Sequence, residues 1–265
     1  MLDEPRIAFY QRTIDRWIPS REASILVVGG GDNDRDVFRS LGFRNVTISN
    51  VASALARADC EPFETIALDA EKLDLPNGAY DYTVVHAVLH HCASPHAALL
   101  ELYRVAGKAV IFFESRDSLT MRILGALGLS YVYEYPAVIT NDCKAGGVRD
   151  TEIPNFIYRW TEREVEKTIS CFAPYAKHRF DYAQGNTYEV RGGWSLKSLG
   201  IQLLIPFYKA FVWLFPGQQN MFAVRITKPS LPADLQPWLV MHDGRVAFNR
   251  EWAAAHASVG ARSSE

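Results

Sequence analysis

The apolar run Ile25 to Val28 leads straight into Gly29, Gly30 and Gly31, and then into Asp32, Asp34 and Asp36. A short unbroken apolar stretch closed by a glycine turn reads as a strand buried on both faces, followed by a helix. The same alternation continues through the first half of the chain. Apolar positions at helical spacing predict helices over 5–17, 34–41, 51–58 and 95–105, and apolar runs predict strands over 25–29, 45–49, 65–68, 82–86 and 108–113. Strands alternating with helices across short turns imply an α/β protein, with a mostly parallel sheet covered by helices on both faces. In that architecture a ligand sits beyond the carboxyl ends of the strands, near the switch in strand order.

After Glu114 the periodicity loosens. Residues 118–129 read as a helix, whereas 130–160 are rich in Tyr, Pro and Gly without a period, as expected of a functional cap. Thr161 with Glu164 forms a capping-box signature for a helix over 160–172. A strand at 176–183, an apolar helix at 196–215 and a strand at 221–228 complete the pattern. The expected organisation is an N-terminal helix (1–20), a core domain (21–228) with a cap insertion (117–160), and a C-terminal extension (229–265). The extension carries Trp238 and Trp252, is expected to pack on the outside, and ends in "ASVGARSSE", a composition typical of a loose terminus. Residues 199–215, "LGIQLLIPFYKAFVWLF", are strongly apolar but are interrupted by Gln202, Pro206 and Lys209 and fall short of a membrane span. A buried or lid helix is the first reading, and peripheral contact with a membrane or a lipid-linked substrate is the second.

Charge and cysteine content narrow the function classes. With 28 Lys plus Arg against 30 Asp plus Glu, the formal net charge is −2, so nothing suggests a nucleic-acid footprint. Cys60, Cys92, Cys143 and Cys171 lie far apart without zinc-ligand spacing and read as reduced thiols. The first residues show no export signal, which makes the cytoplasm the expected compartment. No oligomeric state follows from the sequence.

The glycine turn argues against a diphosphate. A pyrophosphate site wants GxGxxG spacing and free amides at a helix start. Gly29 and Gly31 fit the first two positions, but the third falls on Asp34, and the three aspartates complement the positive helix end themselves. The Walker pattern is also missing. A cofactor without phosphate and with a cationic centre suits such a turn better.

In these features the chain resembles the class I S-adenosylmethionine-dependent methyltransferases, of the methyltransferase-11-like kind, over about residues 20 to 228. "VVGGGDN" matches the family's first motif at Gly29 and Gly31, with Asn33 at its third glycine and Val27 where an acid is usual. Asn50 stands at the end of the second strand, where the family places a ribose-binding acid, and an amide can also hydrogen-bond a ribose. The stretch from Ala67 to Val105 resembles the family's acid-small-acid, "LP", aromatic-Asp, strand and "LHH" run. The resemblance implies a Rossmann-like fold with a seven-stranded sheet and S-adenosylmethionine as cofactor. It assigns cofactor binding to Gly29, Gly30, Gly31, Asn33, Asn50, Asp69, Ala70 and His86, with Asp69 at the adenine amino group, the Ala70 amide at the ring and His86 beside the methionine moiety.

His86, His90, His91 and His96 cluster, yet no Cys or carboxylate joins them at ligand spacing, so no metal is expected. His90 or His91 could be structural at a helix start, or could orient a substrate and accept its proton. Glu114, just past the fifth strand, is expected to project into the cleft, which makes His90, His91 and Glu114 the catalytic candidates. Tyr131, Tyr133, Tyr135, Tyr158 and Trp160 are core residues by default, or a pocket wall within the cap. The expected activity is methyl transfer to an oxygen or nitrogen of a small-molecule acceptor, sugar or lipid-linked. Two other readings stay open: a methyltransferase-like protein that binds a ligand or partner without catalysis, and a nucleotide-dependent Rossmann oxidoreductase.

Overall fold

The structure, a computed structural model, describes residues 4–187 and 196–260. Within those residues the order is α1 (Glu4–Trp17), β1 (Ile25–Val28), α2 (Asp32–Ser40), β2 (Val46–Asn50), α3 (Ala52–Leu55), β3 (Glu64–Ala67), β4 (Tyr80–His86), α4 (Pro95–Val105) and β5 (Ala106–Ser115). There follow α5 (Leu119–Ala126), α6 (Tyr135–Thr140), α7 (Glu162–Phe172), β6 (Arg179–Gly185), α8 (Leu196–Leu214), β7 (Met221–Thr227), β8 (Leu239–His242), β9 (Arg245–Phe248) and α9 (Arg250–Gly260). Seven of the described strands form one sheet in the order β3-β2-β1-β4-β5-β7-β6. β1 to β5 pair in parallel, whereas β7 runs antiparallel to both β5 and β6. The strand order reverses between β1 and β4.

The apolar runs are continuous because both sheet faces are covered. Side chains alternate across a strand, so Ile25 and Val27 pack with Tyr10, Ile14 and Phe38 on one face. Leu26 and Val28 pack with Leu99, Leu102 and Trp160 on the other. Fully burying a side chain of this size stabilises the fold by about 1.5–3 kcal/mol. Helix caps follow the sequence signals: Ser94 and Thr161 each accept a hydrogen bond from the backbone three residues on.

Several elements depart from the sequence expectation for identifiable reasons. The helix expected over 51–58 is shorter, because Arg57 and Ala58 bond back only three residues and close a turn. The strand expected from residue 176 begins at Arg179, since Ala176 instead bridges to Leu235 and the Lys177 amide donates to the Asp234 carbonyl. The Thr161 hydroxyl caps α7, but the Glu164 carboxylate turns to the Tyr158 hydroxyl and His96 rather than back to the cap. The C-terminal extension is more regular than expected. Asp243 and Gly244, both at positive φ, form a two-residue turn between β8 and β9, the geometry that Asp-Gly favours. Trp238 and Trp252 meet beside that hairpin at 6.0 Å. α9 extends to Gly260, and the rest of the loose-looking terminus lies outside the described residues.

The largest correction concerns α8. Its described side chains are mostly exposed, and none of them is a member of either core cluster. Among its described side chains Val212 is buried, while Phe207 and Trp213 are 75% and 76% exposed. No helix among the described residues is long and apolar enough to cross a membrane.

Candidate functional site

The carboxyl end of β1 turns sharply at Gly29, whose φ of +69° is one that side-chain-bearing residues rarely adopt. A Cβ there would also stand 2.4 Å from Val88, and one on Gly30 would meet Val27 at 2.8 Å. Gly31 differs: its backbone is extended, and a Cβ would meet nothing nearer than Ala58 at 3.9 Å. Fold packing therefore demands the first two glycines and leaves the third facing open space. The Gly31 amide is already taken, donating to Asp34 Oδ2 at 3.0 Å, while the Tyr10 hydroxyl donates to Asp34 Oδ1 at 2.8 Å. Burial pushes the Asp34 carboxyl up to about 6 despite those two hydrogen bonds.

The other aspartates do not share this place. Asp32 accepts from the Asp59 amide at 2.7 Å, and Asp36 pairs with Arg35 at 3.0 Å. One carboxylate, not three, lines the cleft beside the turn.

That cleft has a volume of about 510 Å³ and lies over the carboxyl ends of β1 and β4, where the strand order reverses. Gly29, Gly30, Gly31 and Asn33 line it on the β1 side. Asn50 reaches it from β2, Asp69 and Ala70 from the loop after β3, and His86, His90 and His91 from the end of β4 and the turn beyond. Asn50 is also engaged within the fold. Its Nδ2 donates to the Gly30 carbonyl at 3.0 Å and its Oδ1 accepts from Val51 at 2.9 Å, so the amide pins β2 to the glycine turn. Asp69 closes a local turn by accepting from the Glu71 amide at 2.9 Å.

The histidines are in three distinct states. His86 stacks on Tyr10 at 4.4 Å, and its Nε2 accepts from Arg6 at 3.3 Å. Burial, with Arg6 and His90 beside it, pushes its pKa well down, so His86 is neutral. His90 presents Nδ1 to Glu114 at 2.7 Å and Nε2 to Glu134 at 3.1 Å. With a carboxylate on each nitrogen, both must carry protons. Burial opposes the charge, but Glu114 and Glu134 outweigh it and push His90 up to about 9. Burial, and then the neighbouring His90, lower the pKa of His91 below the ordinary histidine range. Its Nδ1 faces the Gly147 carbonyl at 3.4 Å, and its Nε2 lies 3.5 Å from Glu134. Both neighbours only accept, and the contact with hydrogen-bond geometry is the one to the Gly147 carbonyl, which puts the ring proton of neutral His91 on Nδ1.

Glu114 does not reach the cleft. It is 2% exposed and accepts from the Leu89 amide at 2.8 Å as well as from His90. It shapes His90 from behind. The Glu134 carboxyl is held down at about 2: burial raises it, but the bond to His90 and the charges of His90 and His91 outweigh that. Cys92 also lines the cleft, but burial pushes its thiol up to about 12 and leaves no nucleophile there.

A strap, residues 146–150, closes one side of the cleft. Arg149 pairs with Glu71 at 2.8 Å, and Asp150 accepts from Ser53 at 2.6 Å and from Arg57 at 2.7 Å. Glu71 also accepts from the Ser94 amide at 2.8 Å, tying the strap to the start of α4. A Cβ on Gly147 would stand 1.8 Å from the Ile153 carbonyl oxygen, so the strap runs against its own return segment. The aromatic wall expected in the cap is not in the cleft. Trp160 is fully buried against Phe112, and Tyr131, Tyr133 and Tyr135 are exposed.

Arg6 and Glu134 are among the cleft residues that escaped the sequence reading. Arg6 comes from α1, and nothing local marks it among the charges of that helix. Glu134 was more legible, as the single carboxylate in the aromatic run "YVYEYP". Asn155 holds it, donating from Nδ2 at 3.3 Å.

Comparison with known proteins agrees with this fold. Residues 29–113 match a family described as a methyltransferase domain. No curated protein matches the sequence. The fold is similar to that of an S-adenosylmethionine-dependent methyltransferase from Mesorhizobium loti, with 11% identity, 86% of this chain and 100% of that chain covered, and a TM-score of 0.54. It is also similar to the cyclase SpnF, with 12% identity, 84% and 81% covered, and a TM-score of 0.52. A protein from Pyrococcus horikoshii OT3 matches with 14% identity, 85% and 90% covered, and a TM-score of 0.51. At these identities the likeness is one of fold, and the fold is the Rossmann-like one of class I methyltransferases.

Proposed function

We propose, on the premise that residues 29–113 form a methyltransferase domain of the class I, S-adenosylmethionine-dependent kind, that the chain transfers a methyl group to an oxygen or nitrogen of a small acceptor. The observation that carries this reading is the turn at Gly31. Its amide is spent on Asp34, which leaves a diphosphate without that donor, while the space above its Cα is open. A phosphate-free cofactor with a cationic centre fits that combination, and the same feature weighs against a nicotinamide nucleotide. Gly29, Gly30, Gly31 and Asn33 would hold it on one side, Asp69 and Ala70 at the adenine end, and His86 with Arg6 at the far end.

S-adenosylmethionine, when bound, supplies an already activated methyl group. The protein's own contribution is then placement and exclusion of water. His90, protonated between Glu114 and Glu134, holds the acceptor wall rather than accepting a proton. His91 Nε2 and Glu134 offer hydrogen-bond acceptors to an incoming hydroxyl, and Glu114 acts as a positioning residue through His90. The exposed apolar side chains of α8 support an acceptor that is lipid-linked, or contact with a membrane surface, with the protein working on the cytoplasmic side.

Titration calorimetry with S-adenosylhomocysteine, with NADH as the competitor, tests the reading. Saturable binding of the first alone is expected; binding of NADH alone would overturn it. Absence of both would favour a fold that serves a partner without catalysis.

A further inference from the structure

We propose that His90, His91 and Glu134 bind one divalent transition-metal ion on the acceptor wall of the cleft. His90 Nε2 lies 3.1 Å, and His91 Nε2 3.5 Å, from the same Glu134 Oε2. All three ligand atoms fall within 4.8 Å of one another. Tetrahedral coordination with bonds of about 2.0–2.2 Å keeps ligand atoms about 3.4 Å apart. Two of the three edges already have that spacing, and the third closes with a small side-chain movement.

Each ligand is also held from behind. Glu114 faces His90 Nδ1 at 2.7 Å, the Gly147 carbonyl faces His91 Nδ1 at 3.4 Å, and Asn155 donates to Glu134 at 3.3 Å. Such partners on the second ring nitrogen fix the ring and its tautomer in metal sites. With its proton on Nδ1, His91 turns the Nε2 lone pair toward a carboxylate oxygen. Two acceptors facing each other call for positive charge between or beside them. The protonated His90 supplies part of it, and an ion would supply it for both. Binding exchanges the proton on His90 Nε2, released to solvent, for the ion, while the Nδ1 proton stays against Glu114.

Two imidazoles and one carboxylate select Zn2+, Co2+, Fe2+ or Mn2+ over Mg2+ and Ca2+. The carboxylate arrives from a distant segment, which is why spacing around the histidines does not disclose it. All three residues line the cleft, so the remaining coordination positions are accessible from it. An acceptor oxygen would complete the shell, a role that, unlike the site itself, rests on the methyl-transfer reading.

The test uses the full chain, stripped with a chelator, loaded with Zn2+, desalted and assayed for metal, with Co2+ visible absorption as a second readout. No cofactor or acceptor is present, so failure here leaves methyl transfer standing, and failure to bind S-adenosylhomocysteine leaves the metal site standing. One equivalent of Zn2+ is expected, with affinity reduced at least tenfold in His91→Ala and Glu134→Gln, and by about 10- to 100-fold in Glu114→Gln. The two ligand substitutions are at partly exposed side chains, 27% and 32%, which favours folded variants. No retained Zn2+ in the unsubstituted protein, or equal retention in both ligand variants, overturns the proposal.

Discussion

The glycine turn separates two roles that the sequence writes with the same letter. At Gly29 a side chain meets Val88 and a positive φ together, whereas at Gly31 it would enter open cleft. Gly29→Ala is therefore expected to lose about 2 kcal/mol or more of stability in urea unfolding. Gly31→Ala should stay within about 0.5 kcal/mol, yet weaken S-adenosylhomocysteine binding at least tenfold; equal behaviour of the two variants would refute the distinction. Asp34 carries a second expectation. Its folded pKa is raised to about 6 from an ordinary 3.8, so between those values the folded state holds a proton that the unfolded state has lost. Stability then falls as pH rises through that window, by about 3 kcal/mol in all. Unfolding of Asp34→Asn should lack this slope, so its stability relative to the parent rises between pH 4 and pH 7; a constant difference would contradict it. The positions of the cofactor side were readable from strand, turn and spacing. The bonding was not: Asn50 looks like a ribose ligand in sequence, and only the fold shows its amide engaged with Gly30. Glu114 likewise sits where expected but points into the core behind His90.

At the level of elements, β1 and the Ala109–Phe113 part of β5 were legible because burial on both faces writes them as unbroken apolar runs. β8 and β9 are exposed and short, so their one clear signal was the Asp-Gly between them. The start of β6 was misplaced because a long-range bridge, Ala176 to Leu235, competes for the backbone before the strand. α8 shows the limit of hydrophobicity as a guide to burial, since apolar composition records what a helix avoids rather than what covers it. Its face carries Leu203, Phe207 and Trp213 into solvent beside Lys209. Sedimentation with vesicles containing anionic lipid is expected to carry the protein down, and Phe207→Glu with Trp213→Glu to release it. Unchanged sedimentation of the double variant would remove α8 from that role.

The whole molecule brings four distant segments to one cleft. α1 supplies Arg6, the sheet supplies the glycine turn and the histidines, the cap supplies Glu134, and the strap adds Gly147, Arg149 and Asp150. None of these meetings follows from local sequence; each needs the strand order that sets β1 beside β4. The strap joins the loop after β3 through Arg149–Glu71 on one flank and the turn after α3 through Asp150–Arg57 on the other. Such a latch makes ligand residence a matter of how often both flanks release together. Because Arg57 and Arg149 remain about half in water, dissolved ions reach them and loosen the hold. Turnover governed by product escape would accordingly quicken in brine, even where the chemistry beneath is indifferent to it.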